Sequence, residues 1–78
     1  MHLYVGNVAD RVTEDMLQRM FEEFGQVETC TIIRDSMTGK SKGFGFVDIP
    51  DDSQANDAIK GLNGKEVLGR KLVVNKRR

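Results

Sequence analysis

Tyr4, Phe44 and Phe46 are three of only five aromatic side chains in 78 residues, and each sits in a short alternating stretch. Tyr4 belongs to His2-Leu3-Tyr4-Val5-Gly6, and the two Phe to Lys42-Gly43-Phe44-Gly45-Phe46-Val47-Asp48-Ile49. Flat rings beside a cation suit the stacking of unpaired bases, with the phosphates drawn to Lys or Arg. Other chemistries lack their parts. One His and one Cys cannot build a zinc site or an intramolecular disulfide. The His has no evident nucleophile partner, and the carboxylates show no convergence. Gly39-Lys40-Ser41 resembles the end of a P-loop, but Arg34 stands where the first Gly is needed and a strand follows instead of a helix. Gly43-Phe44-Gly45 lacks the third Gly of a dinucleotide fingerprint.

The elements that must position the aromatics follow from periodicity. His2 to Gly6 alternates and reads as a strand. Thr13 caps a helix opened by Glu14 and Asp15, and Leu17, Met20, Phe21 and Phe24 give it one apolar face before Gly25 stops it. Val27 to Ile33 is a second strand, residues 35–41 a polar loop, and Gly43 to Ile49 a third strand, so the two form a hairpin. Asp51 and Gln54 resemble a capping box for a second helix that buries Ala55, Ala58, Ile59 and Leu62 and ends at Asn63-Gly64. Lys71 to Asn75 is the last strand. The order βαββαβ predicts an α+β, ferredoxin-like fold: a four-stranded antiparallel sheet with both helices on one face.

Strand parity then assigns faces. Leu3 and Val5, with Gly43, Gly45, Val47 and Ile49, turn to the helices. Tyr4, Lys42, Phe44, Phe46 and Asp48 turn to the uncovered side. Burying the aromatics instead would point Leu, Val and Ile at water. Gly45 would let a helix approach closely. His2 shares Tyr4's face but stands where chain ends fray, and Cys30 reads as an inert core thiol.

Length allows one domain, residues 1–78. Hydrophobic residues at 38%, with eight Gly uncounted, exclude wholesale disorder. No apolar run approaches the roughly 18 residues of a membrane span, and the broken, charged N-terminal stretch excludes a signal peptide. The lone Cys suits a reducing compartment, which fits the cytoplasm, or the nucleus for a eukaryotic source. Net charge is zero but uneven: residues 1–33 carry two basic and six acidic side chains, and residues 70–78 five basic and none acidic.

Lys42 to Ile49 resembles the ribonucleoprotein octamer of RNA recognition motif domains, K/R-G-F/Y-G/A-F-V-x-F/Y. Leu3-Tyr4-Val5-Gly6-Asn7-Val8 resembles the hexamer those domains carry on their first strand. Order, strands and frame all agree, over essentially the whole chain. One departure is Ile49, where the pattern has an aromatic; parity places it on the helix side. Met1 directly before the first strand resembles small single-domain bacterial members, although an excised eukaryotic domain would look similar.

The resemblance implies single-stranded RNA as partner, with single-stranded DNA also open, a monomer, and no metal, membrane or cofactor. By it, Tyr4 and Phe46 would each stack a base, Phe44 would pack between sugars, and Lys42 would meet a phosphate. Arg34, Lys40, Asn75, Lys76, Arg77 and Arg78 would lie beside the bound strand, while Thr31, Ile33 and Val73 would tune base preference. The alternative is a protein-interaction domain using the same sheet face. A small acyl-phosphate hydrolase on this scaffold is more remote.

Overall fold

The computed structural model describes residues 1–77. In chain order its elements are β1 (His2–Gly6), α1 (Glu14–Glu22), β2 (Thr29–Arg34), β3 (Ser41–Asp48), α2 (Asp52–Leu62), β4 (Glu66–Val67), β5 (Arg70–Lys71) and β6 (Val73–Lys76). The strands order β2-β3-β1-β6 in one antiparallel sheet. This is the ferredoxin-like βαββαβ frame, with one addition. Between α2 and β6 the chain folds a small hairpin, β4 with β5, about a turn at Leu68 and Gly69, both of which adopt positive φ (49° and 88°). No helix among the described residues is long and apolar enough to cross a membrane.

Local chemistry explains where the helices start and stop. Thr13 Oγ1 accepts the Met16 N–H at 3.2 Å, while Glu14 and Asp15 complement the positive end of α1. The helix ends at Glu22 with Glu23 as its cap, two residues ahead of the Gly25 expected to stop it. Asp51 accepts the Gln54 N–H at 3.0 Å, but only half of the expected capping box forms. The Gln54 amide oxygen turns away and accepts the Gln26 N–H at 3.2 Å, tying the α1–β2 connection to α2. At the far end, the Asn63 side chain accepts the Val74 N–H at 3.0 Å and joins α2 to β6.

Both helices and the inward strand residues build a single core. Leu17 and Phe21 of α1, and Ala55, Ala58 and Leu62 of α2, meet Leu3, Val5, Ile32, Val47 and Val74 of the sheet. Met20, Phe24 and Ile59, expected in the same stripes, are half-buried at its margin. Ile49, the departure from the octamer, is fully buried among them; an aliphatic side chain therefore serves packing there and takes nothing from the opposite face.

Gly45 works differently from the expectation of helix approach. A Cβ built on it would lie 2.4 Å from the Thr31 carbonyl oxygen and 3.1 Å from Ile32 Cα. The crowding group is the backbone of β2, whose register shifts just beyond, between Ile32 and Arg34. Cys30 is half-buried, and its thiol donates to the Glu14 carbonyl at 3.6 Å. Burial, reinforced by the Glu14 carboxylate, pushes the thiol up to about 11, so at neutral pH it holds its proton and is a poor nucleophile.

Candidate nucleic-acid interface

Pairing register turns the outer sheet face into a grid. Thr31, Phe46, Tyr4 and Asn75 form its central row, one residue from each strand. One step along, Gly6 faces Val73, and Phe44 lies two residues from Phe46. One step the other way, Thr29 and His2 flank Asp48. The three rings at the centre touch one another. Tyr4 and Phe44 lie 6.2 Å apart between centroids at 24°, and Phe46 stands edge-on to both, at 6.2 Å from Tyr4 and 5.9 Å from Phe44. Each ring is half-buried, because its neighbours cover its edges, yet among the described residues both helices pack on the opposite side of the sheet.

Gly6 makes room for this cluster. A Cβ there would stand 2.6 Å from the Tyr4 hydroxyl oxygen. Any side chain would therefore lift the ring from the sheet.

Arg77 is held by its backbone, which donates to the His2 carbonyl at 2.8 Å. Its guanidinium carbon lies 4.2 Å from the Phe46 centroid. The guanidinium therefore covers the outer side of that ring. An exposed cation–π contact is worth about 0.5–1 kcal/mol, whereas a base on an aromatic ring is worth about 1–3 kcal/mol. The Arg77 contact is thus the weaker kind of the two.

The other cations expected at the site are spread unevenly. Lys42 is exposed on β3 and Lys40 on the β2–β3 loop. That loop is folded tightly: Asp35 Oδ1 accepts the Met37 and Thr38 N–H groups at 2.8 and 3.1 Å, and these bonds hold the Asp35 carboxyl below its ordinary range. Arg34 instead donates to Glu14 at 3.0 Å. Burial works to raise Glu14, but the Ile32 N–H and the Arg34 guanidinium outweigh it and hold the carboxyl low. Arg34 is thus engaged in joining β2 to α1. Asn75 lies beside Tyr4, opposite it in register. Lys76 pairs with Leu3 and so shares the parity of buried Val74, away from the aromatic row. Arg78 lies outside the described residues. Thr31, Ile33 and Val73 all fall on the outer face, with Val73 45% exposed.

One group on this face had no role read for it from sequence. Asp48 accepts from the Thr29 hydroxyl at 2.6 Å through Oδ2 and is paired through Oδ1 with His2 Nδ1. Donation from Thr29 comes first among the causes that hold its carboxyl below the ordinary range, and His2 adds to it against the pull of desolvation. His2 is thereby tied down at a position where fraying was expected. Parity alone places Asp48 beside Phe46; only the register shows which donors it meets. Among the described residues, no group of three or more His, Cys, Asp and Glu could hold a metal ion.

The RNA recognition motif model matches residues 3–73. The chain belongs to the RNA recognition motif family. Its relatives in that family include the human "Probable RNA-binding protein 23", 45% identical over 74 residues, which cover 95% of this chain and 17% of the human one. The "Putative RNA-binding protein RbpE" of Nostoc sp. is 42% identical over all 78 residues and 79% of its own length. A solved "SXL-lethal protein/RNA complex" superposes with a TM-score of 0.89 at 33% identity, covering 95% of this chain and 46% of that one. The chain spans a small part of some relatives and most of others. Within an RNA recognition motif, the hexamer and octamer are the β1 and β3 stretches that carry Tyr4, Phe44 and Phe46 here.

Proposed function

We propose that this chain binds single-stranded RNA without catalysis, by stacking bases on Tyr4 and Phe46 of the open sheet face. The observation that carries this reading is the cluster itself: three mutually touching rings on the sheet face opposite both helices, in a family named for RNA recognition. Phe44, between them on the same face, packs against the sugars. Lys42, Lys40 and Arg77 meet phosphates. The RNA bound to an SXL-lethal protein of the same fold supports the choice of ligand.

Two stacks and a few ion pairs must overcome the entropy of association, so a short oligonucleotide should bind with a Kd of about micromolar order or weaker. Titrating isotopically labelled protein with a short mixed-sequence RNA tests the interface. Amide shifts should cluster on β1 and β3 and at Asn75 to Arg77. Shifts confined to α1 and α2, or none at high RNA concentration, would overturn the proposal.

A further inference from the structure

We infer that Asp48 is a base-selecting residue, and that it favours guanine at the position stacked on Phe46. This inference rests on the stacking reading above. Asp48 follows Phe46 by two residues on the same face of β3, a spacing of about 7 Å. That is within reach of the edge of a base lying on the ring. The side chain is 29% exposed, and its carboxyl is held ionised by Thr29 and His2.

A fixed negative charge on a nucleic-acid face repels phosphate, so the RNA backbone must pass elsewhere. What can approach is a donor. Each carboxylate oxygen already has one partner, Oδ1 with His2 and Oδ2 with Thr29. A carboxylate offers about four lone-pair sites, which leaves one free on each oxygen. Guanine alone among the four bases presents two adjacent donors, N1–H and N2–H, on its Watson–Crick edge, where single-stranded bases are read. Adenine and cytosine place a ring-nitrogen acceptor beside their one amino group, and uracil flanks its N3–H with two carbonyls. Each therefore turns an acceptor toward the carboxylate. Thr29 and His2 act as positioning residues: they fix the carboxylate and keep it charged.

Four labelled RNA pentamers test this, uridine throughout except for a central guanosine, inosine, adenosine or uridine, with binding read by fluorescence anisotropy. The wild-type protein should favour guanosine over uridine by about tenfold, the span of one good paired contact. Inosine, which lacks the 2-amino group, should lose about threefold of that. Asp48→Asn should reduce the guanosine preference to about twofold or less, read as the ratio of guanosine to uridine affinity on the same variant. The inosine comparison uses only wild-type protein, so it stands even if the variant melts. Equal binding of guanosine and uridine by wild type, or an undiminished preference in Asp48→Asn, overturns the role of Asp48 while leaving the stacking face intact. Failure of every pentamer to bind overturns both.

Discussion

Phe46→Ala is expected to weaken binding of a short single-stranded RNA by about tenfold or more while leaving the fold in place. Loss of a base–aromatic stack costs about 1–3 kcal/mol, and about 1.4 kcal/mol is tenfold. Two features of the free protein bear on the size of the effect. Arg77 lies on the ring, so part of the stacking energy is spent displacing it, and the variant loses that cost along with the stack. Tyr4 and Phe44 also lose an edge-on neighbour, which loosens the remaining platform. The fold survives because Phe46 is absent from the core that joins both helices to the sheet. Anisotropy titrations and thermal melts on the same preparation separate the two effects. Unchanged affinity would remove Phe46 from the interface, and an unfolded variant would place it in the core.

Gly45→Leu should produce the largest loss of stability. Overpacking costs about 1–3 kcal/mol, and in a domain of this size each kcal/mol lowers the Tm by about 4–8 °C. The structure sharpens this expectation. Because the Cβ itself would meet the Thr31 carbonyl at 2.4 Å, Gly45→Ala should already carry much of the cost. A helix pressing from further away would tolerate Ala and reject only Leu. Melting curves of the two variants decide between these causes: a substantial drop for both identifies the β2 backbone, and a drop for Leu alone restores the helix. If neither melts lower, the register of β3, and the outward direction of Phe44 and Phe46 with it, is wrong.

Strand alternation placed Leu3, Val5 and Val47 in the core, and the outer face followed from them, because a strand's parity allows only two answers. The ends of elements were less legible. Gly25 resembled a helix stop, but α1 ends at Glu22, and the Gln54 half of an apparent capping box was taken by the Gln26 N–H from a distant segment. The β4–β5 hairpin left little trace, since its turn requires a Leu at positive φ, and Leu-Gly lacks the Asn-Gly or Asp-Gly signature of such turns. Long-range pairing was invisible for a different reason. Nothing local in the sequence ties Arg34 to Glu14, sets Arg77 on Phe46, or brings Thr29 and His2 to one carboxylate. Those contacts depend on how α1 docks on β2 and on the register between strands, which only the folded domain fixes.

Tyr4 offers the most direct test of the stacking account, because it is the only tyrosine and the chain has no tryptophan. Its intrinsic fluorescence therefore reports one ring at the centre of the proposed interface. Titration with a short single-stranded RNA, corrected for absorption by the RNA, should quench that emission along the same saturation curve that labelled-RNA anisotropy follows. Quenching should persist when the salt is raised enough to weaken the phosphate contacts, provided RNA is added until binding saturates again. Saturable binding by anisotropy with Tyr4 emission unchanged would contradict the account, since the RNA would then be held somewhere other than on the aromatic face.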